Sequence, residues 1–253
     1  MPGRMRSFLR YCSRAENLHF QPPMSDIRDP THICRGFTDQ QWRLLRTQLV
    51  HGDALTADAA AWHCAVEVFA RRIRERFLSC IETLFAADTR SDVEVGPGAP
   101  GDCSTLPRDD LGAVVPGFAI MALCCLLVET LQSFREARGA GDTGTQLFEK
   151  FLARRSFQGA FGGNVAKSFV RGIRDGILHE AETRRWAIWR DEPHGAIVET
   201  RGNGYVLNRT AFYEALRTEF EEYVKDVKDL RDQSKDELRR RFIKKMDDVA
   251  SEC

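Results

Sequence analysis

Residues 62–84 read WHCAVEVFARRIRERFLSCIETL, and this stretch decides the fold class. Apolar side chains recur in it every three or four residues, which is the spacing of one face of an α-helix. The stripe consists of Trp62, Val66, Phe69, Ile73, Phe77, Ile81 and Leu84. Arginine and glutamate occupy many of the positions between them. The pattern predicts a long amphipathic helix over about 57–87 and a mainly α-helical chain.

The same periodicity predicts further helices on both sides of this one. They are expected from Thr38 onward, over 118–137, over 147–157, over 165–183 and from Asn208 to about 230. Between the last two helices the period becomes strand-like, and Gly-rich turns separate three short apolar runs. These runs predict a β-hairpin or a three-stranded insertion near 186–207. The predicted fold is an antiparallel helical bundle that carries this small insertion.

Composition divides the chain into a tail, one domain and an extension. Residues 1–24 are predicted to be a disordered tail or foreign to the native protein, because arginines are scattered among few apolar positions and Met24 resembles a second start. Residues 25–230 are expected to form a single helical domain with a Gly- and Pro-rich loop at 89–112. Residues 231–253 are dominated by charge and predict an exposed or frayed extension.

Charge and cysteine usage narrow the function classes. The 37 basic residues balance the 37 acidic ones, so any contact with nucleic acid needs a local basic face. The eight cysteines form no Cys-x-x-Cys pair and lie mostly in apolar helical sequence, which is typical of a reducing cytoplasm. No grouping of His, Cys, Asp and Glu has the spacing of a metal site. No metal or cofactor is therefore predicted.

One segment needs to be tested as a membrane span. Residues 113–128 are almost wholly apolar, but Pro116 and Gly117 interrupt them and Glu129 ends them. The uninterrupted part is too short to cross a hydrocarbon core of about 30 Å. The segment predicts a buried core helix, and no membrane partner is expected.

The helix predicted over 165–183 carries the strongest candidate site. It contains the sequence RDGILH, which begins with Arg174 and Asp175 and ends at His179. Two other Arg–His pairs share this spacing, but one lies in the tail and one runs off the end of a short helix. Histidine passes protons near neutral pH, and an Arg fork binds a phosphate bidentately and stabilises the charge that builds on it. These residue types point to chemistry on a phosphate ester.

Basic residues precede this motif on the same helix. Lys167, Arg171 and Arg174 are spaced four and three apart, which predicts a cationic strip that binds RNA or phosphate. An alternative is that Arg171 and Asp175 form an ordinary surface ion pair, worth well under ~1 kcal/mol. On that interpretation, His179 is simply a polar residue near a helix end.

Other polar residues are expected to support His179. Asp175 lies one turn before it and is expected to orient its imidazole. Thr183, one turn after it, is expected to lie near it. Glu129 ends the apolar helix and either faces His179 or is an ordinary polar residue where that helix reaches solvent. In an ideal α-helix, however, Arg174 and His179 point about 140° apart. The length of the arginine, a kink at the intervening glycine or a second subunit would bring them together.

With this motif in place, the sequence resembles the HEPN superfamily (higher eukaryotes and prokaryotes nucleotide-binding domains). Its members share a small helical bundle and, late in it, a motif of Arg, a polar residue, three further residues and His. Arg174, Asp175 and His179 match that motif. A group of bacterial HEPN-like proteins is similar in FARRIRERFL at 69–78, GFAIMAL at 117–123, ETLQSF at 129–134 and GILHEAET at 176–183. The likeness covers roughly residues 57–230.

The resemblance implies metal-independent RNA cleavage. In many members two protomers bring their motifs together, the His transfers protons, the Arg holds the scissile phosphate, and the RNA 2′-hydroxyl attacks. For this chain it implies RNA as substrate, a homodimer, and a role as a toxin or in phage defence with a cognate antitoxin or defence-system protein as partner. Ala181 stands where HEPN toxins paired with nucleotidyltransferase antitoxins often carry Tyr, so regulation through that tyrosine is not expected.

Two other interpretations stay open at this point. A non-catalytic HEPN-like module would bind a nucleotide, RNA or a partner protein, and its binding would depend on Arg171 or Arg174 rather than on His179. A plain helical scaffold would use none of these residues for function.

Overall fold

A computed structural model describes residues 31–51, 54–55, 58–88, 116–136, 144–189 and 195–251. The chain is mainly α-helical with small sheets, as the sequence predicts. It divides into two compact units, one made of residues 1–73 with 224–253 and the other of residues 74–223. The predicted tail at 1–24 and the predicted loop at 89–112 lie outside the described residues.

The described helices and strands are as follows in chain order. The α-helices are α1 (Asp39–Leu49), α2 (Ala59–Ile73), α3 (Ser79–Asp88), α4 (Gly117–Glu136), α5 (Gly144–Leu152), α6 (Val165–Phe169), α7 (Arg209–Lys228) and α8 (Asp236–Ser251). The strands are β1 (His32–Cys34), β2 (Phe37–Thr38), β3 (Val50–His51), β4 (Ala54–Leu55), β5 (Trp186–Trp189), β6 (Val198–Arg201) and β7 (Gly204–Asn208). Arg74–Leu78, Val170–Arg174 and Gly176–Glu180 form π-helical turns, and Arg155–Phe157 and Gln233–Lys235 form 3-10 turns.

The predicted domain boundaries differ from the structure. A single domain over 25–230 was expected, but the chain divides at residues 73 and 223. Residues 231–253 do not form a mere charged extension, because α8 lies within them and buries Phe242, Met246 and Ala250. These apolar residues recur every four positions, which is the spacing of one helical face. The charged residues around them concealed this stripe from an interpretation based on composition.

Polar and aromatic contacts hold α8 within the first unit. Asp247 accepts a hydrogen bond from Trp42 Nε1 at 2.9 Å and pairs with Arg46 Nε at 2.9 Å. The ring of Phe242 meets the rings of Trp62 and Phe69 edge-on, at centroid distances of 6.0 and 5.7 Å. Edge-to-face aromatic pairs of this kind add to the free energy gained by burying their area. The final helix is therefore part of the core of this unit.

An aromatic cluster in the second unit fixes the position of α6. Phe169 stacks on Phe212 of α7 at 5.4 Å between centroids. It also meets Phe161 edge-on at 5.2 Å and Trp186 of β5 edge-on at 5.7 Å. All four side chains are buried. The helix that was expected to carry the site is therefore anchored at its beginning by apolar packing.

The predicted β insertion is a three-stranded sheet with the order β5-β7-β6. β7 pairs antiparallel with β6 and parallel with β5, so that Trp186 lies opposite Tyr205 and their rings stack at 4.7 Å. At the end of β7, Asn208 Oδ1 accepts a hydrogen bond from the Ala211 N–H at 3.1 Å. This bond satisfies one of the free N–H groups in the first turn of α7. The sheet is thereby linked directly to a core helix.

The apolar helix α4 is the one described helix that is long and apolar enough to cross a membrane, by length and composition only. Its most apolar window has a mean hydropathy of 1.7, and 56% of that window is buried. A core helix can have the same length and composition. Cys124 and Cys125 lie on its buried side, and burial raises the pKa of both thiols above the usual value.

A buried carboxylate joins three segments of the second unit. Glu219 of α7 is 1% exposed and forms ion pairs with Arg135 of α4 and with Arg154. Ser156 Oγ donates a hydrogen bond to its other oxygen at 2.8 Å. The guanidinium of Arg135 also lies over the ring of Tyr223, 4.9 Å from its centroid. Removing the Glu219 carboxylate would leave the two arginines without the opposite charge that compensates for their burial, which is unfavourable.

Replacing Glu219 by Gln should lower the free energy of unfolding by about 3–5 kcal/mol, because two guanidinium groups lose the negative charge that they share. Urea unfolding near neutral pH measures the change. The matched control is Glu222→Gln, at an exposed position of the same helix, which should stay within about 0.5 kcal/mol of wild type. Equal losses in the two variants would contradict a stabilising role for this cluster.

Candidate functional site

The candidate motif lies on a helix that is not a regular α-helix. Two π-helical turns follow α6, over Val170–Arg174 and Gly176–Glu180. The helix ends at Ala181, which has a φ of 53° and donates its N–H to the Gly176 carbonyl. Single π-helical turns inside α-helices are frequent at functional sites. Because π-helical hydrogen bonds join residues five apart, this winding brings Arg174 and His179 closer to one face than an α-helix would.

The expected continuation of this helix to Thr183 is wrong. The chain leaves the helix after Glu180, and the Thr183 hydroxyl donates to the Trp186 carbonyl at 2.7 Å. Thr183 thus belongs to the turn that leads into β5. Asp175, His179 and Thr183 are four apart and would lie on one side of the helix only with regular α-helical winding, which the π-helical turns interrupt.

Two glycines allow the next segment of chain to pack directly against this helix. The N–H groups of Glu182 and Arg184 donate to the carbonyls of Gly176 and Gly172, at 3.2 and 3.3 Å. A Cβ at Gly172 would lie 2.4 Å from Trp186 Cδ1, and one at Gly176 would lie 2.3 Å from the Glu182 carbonyl oxygen. Only glycine allows so close an approach. This contact was not predicted from the sequence, although two glycines four apart in an amphipathic helix were a signal of it.

Arg174 is held by two carboxylates. Its Nε and Nη2 lie 2.9 and 2.7 Å from Glu129 Oε1, and its Nη1 lies 2.8 Å from Asp175 Oδ1. The arginine side chain is 25% exposed, so part of it is open to solvent. Burial lowers the pKa of Arg174, but the hydrogen bonds and charges of Asp175 and Glu129 outweigh this effect and raise it above its usual value. The guanidinium is therefore fully charged and fixed in direction.

The carboxylates thus have a different partner from the one expected. Asp175 was expected near His179, and Glu129 was a candidate to face it, but both contact Arg174. The contact with Glu129 joins residues 45 positions apart, and no periodicity within one helix can reveal such a pair. Asp175 was expected to orient the imidazole, and no hydrogen bond between these two side chains is found in the described part of the chain.

His179 is exposed near the end of the second π-helical turn. Within the described ranges its side chain has no hydrogen-bond or ion-pair partner in this chain. In particular, no hydrogen bond joins it to Arg174 within these ranges, although the two residues are close in sequence. The imidazole is free to meet a ligand or a second protein chain.

The predicted cationic strip divides into two parts. Lys167 and Arg171 line a surface pocket together with Arg184 and Arg185, whereas Arg174 turns toward Glu129. Arg184 and Arg185 come from the segment that packs against the helix. Neither arginine was predicted to belong to the site, although a pair of adjacent arginines directly after a helix is a visible signal. Among the described residues, no group of three or more His, Cys, Asp or Glu side chains could hold a metal ion.

Replacing Gly176 by Ala should lower the free energy of unfolding by about 1–3 kcal/mol, because the new Cβ meets the Glu182 carbonyl and the backbone must shift. Thermal or urea unfolding measures the loss. The matched control is Gly162→Ala, where the nearest atom to the new Cβ lies at 3.6 Å, an ordinary contact distance. A neutral result for Gly176→Ala would show that the close approach of the two segments does not exist.

Comparison with known proteins adds no assignment to this geometry. No family model, no curated protein and no solved structure matches the chain. The similarity to HEPN proteins seen in the sequence stays a prediction. The function must be inferred from the residues of the site themselves.

Proposed function

We propose that this protein is a metal-independent endoribonuclease of the HEPN type, with an antiparallel HEPN-like helical bundle and a composite site at a homodimer interface. One observation carries the proposal: Arg174 and the exposed His179 lie on the same short helical segment, and two carboxylates fix the direction of Arg174. Its cellular role is that of a cytoplasmic toxin or phage-defence effector, restrained by a cognate antitoxin or another defence-system protein.

Arg174 is suited to hold the scissile phosphate. A guanidinium has five N–H donors, and the contacts with Glu129 and Asp175 occupy three of them. The two that remain, one on Nη1 and one on Nη2, are available to donate to phosphate oxygens. Because the carboxylates fix the plane of the guanidinium, little reorientation is needed as negative charge builds on the phosphate.

His179 is suited to move the protons. In the reaction the 2′-oxygen of RNA bonds to phosphorus, and the bond from phosphorus to the 5′-oxygen breaks. The imidazole takes the proton from the 2′-hydroxyl, and the imidazolium so formed, or a water molecule, supplies one to the leaving 5′-oxygen. The products are a 2′,3′-cyclic phosphate and a 5′-hydroxyl, so atoms and charge balance without a metal or a cofactor.

Exposed apolar residues beside the site support the dimer. Leu178, next to His179, is 39% exposed, and Leu126 is 40% exposed. Leu126 precedes Glu129 by three positions on α4, so it lies on the same side of that helix. Apolar side chains around a polar site are typical of a surface that meets another protein. A second copy would place its own histidine opposite Arg174 and supply what one chain lacks.

Replacing His179 by Ala should reduce RNA cleavage by about a hundredfold to ten-thousandfold, because proton transfer is lost. The measurement is cleavage of mixed RNA, with the ends of the products identified. His32→Ala, at an exposed histidine of the first unit, is the matched control and should cleave as wild type does. Excess chelator should leave the wild-type rate unchanged. Loss of activity on chelation would contradict the mechanism.

Mixing two inactive variants tests the composite site. Arg174→Gln and His179→Ala should each be inactive alone, since each dimer site then lacks one of its two groups. After co-expression, mixed dimers contain one site with an intact arginine and an intact histidine, and part of the activity should return. No recovery, in a mixture shown by mass measurement to contain the mixed dimer, would contradict a site shared between chains.

A non-catalytic module that binds RNA or a nucleotide is the second candidate. It is favoured by one observation, namely that Asp175 contacts Arg174 instead of orienting His179. In that case wild type releases no cyclic phosphate, and His179→Ala binds RNA as tightly as wild type does. The cleavage assay above therefore separates the two functions.

A further inference from the structure

A basic surface pocket lies beside the candidate motif. Its volume is about 500 Å³, and its lining residues are Asn164, Lys167, Ser168, Arg171, Gly172, Arg184 and Arg185. No carboxylate is among these described lining residues. Because the chain as a whole has no net charge, four cations around one pocket are a local concentration rather than a general bias.

Most of this positive charge is not compensated. Arg184 pairs with Glu180, with its Nε 2.8 Å from Oε2. Lys167, Arg171 and Arg185 are exposed, and within the described residues no carboxylate of this chain contacts them. Since none of the three is engaged, each can turn its donors toward an anion. Surface cations left unpaired around a concave site attract polyanions over a distance of about 10 Å at moderate salt.

Two smaller groups in the pocket add hydrogen-bonding capacity. The Ser168 oxygen accepts a hydrogen bond from Trp186 Nε1 at 3.1 Å, which leaves its own O–H free to donate. Gly172 has no side chain, so at this position backbone lines the pocket. A phosphate or a ribose hydroxyl finds donors here without displacing an existing contact.

Arg185 has an unfavourable backbone conformation. Its φ is 58°, in the left-handed region, which costs an L-residue roughly 1–2 kcal/mol. Its carbonyl accepts a hydrogen bond from the Tyr205 N–H at 2.9 Å, and this bond holds the conformation in place. Glycine or asparagine would satisfy the backbone at lower cost. An arginine at such a position points to a use for its side chain.

Arg185 also lines a second surface pocket, with Asn203 and Gly204, of about 510 Å³. The two pockets therefore share one lining residue, Arg185. A single compact anion needs only one of them, whereas a chain of phosphates can pass from one to the other. This continuity favours an extended polyanion over an isolated phosphate.

From these observations we infer that the pocket around Lys167, Arg171 and Arg185 binds the sugar-phosphate backbone of single-stranded RNA, with Arg185 linking it to the Asn203 pocket. The inference rests on the proposed function, because it takes RNA as the substrate of the site at Arg174 and His179. It adds a binding surface that starts before the motif on the same helix and continues onto β7.

The test measures binding separately from cleavage. All variants are made in the His179→Ala background, and an oligouridine of about 12 nucleotides with a fluorescent label is the probe. Its affinity is measured by anisotropy at several salt concentrations. Each contact between a cation and a phosphate of single-stranded RNA contributes about 0.7 to the slope of log affinity against log salt. Lys167→Gln and Arg171→Gln should each reduce the slope by about 0.7 and weaken binding at low salt.

Arg185→Gly separates a binding role from a structural one. It removes the charge and also removes the unfavourable φ, so the unfolding midpoint should stay equal or rise while RNA affinity falls. Arg185→Lys should restore part of the affinity, since it restores the charge. Arg155→Gln, at an exposed arginine of the same unit, is the matched control and should leave both the slope and the affinity unchanged.

Pyrophosphate and a mononucleotide form the competing arms. Neither should displace the RNA at an equal concentration of phosphate groups, and efficient displacement would overturn the assignment to an extended strand. Unchanged binding in Lys167→Gln, Arg171→Gln and Arg185→Gly would also overturn it. If these variants lose affinity while wild type cleaves no RNA, the binding pocket is supported and the proposed catalysis is contradicted. If wild type cleaves RNA while the variants bind normally, the catalysis is supported and the binding pocket is contradicted.

Discussion

The contact that most of the second unit depends on is the close approach of residues 182–186 to the helix at Gly172 and Gly176. The helix must end before this segment can turn back, so the contact fixes the position of His179 at an exposed end. It also carries Arg184 and Arg185 to the side of the helix where Lys167 and Arg171 lie. It then delivers Trp186 into the aromatic cluster and begins β5. One backbone contact thus positions the motif, the basic pocket and the sheet together.

The sequence predicted those features that depend on which side chains of a single helix or strand are buried. The stripe from Trp62 to Leu84 placed α2 and α3, and the alternating runs near 186–207 placed the sheet, because in each the apolar period follows the geometry of the backbone. The π-helical turns were not predictable, since they use the same residue types as α-helical turns. The pairing of Arg174 with Glu129 depends on how two distant helices pack. In α8, charge concealed a buried face that composition alone could not show.

Charge is distributed unequally along the helix of the motif. Arg174 is held by two carboxylates and keeps one direction, whereas Lys167 and Arg171 are exposed and have no ion-pair partner among the described residues. A fixed cation is suited to a reaction in which geometry decides the rate, because no reorganisation is needed. Solvated cations are suited to the capture of a flexible polymer, because they adapt to many positions of its backbone and are sensitive to salt. The two arrangements occur within a few turns of one helix.

The order of the two units along the chain has a consequence for synthesis. The unit that carries Arg174 and His179 is a continuous segment, residues 74–223, whereas the other needs both residues before 73 and residues after 224. Chains generally fold as they emerge, one unit at a time. The segment with the motif is complete before α8 has been translated, whereas the first unit cannot close until α8 has followed it. A protein that recognised the nascent chain would therefore meet the motif before it met the finished molecule.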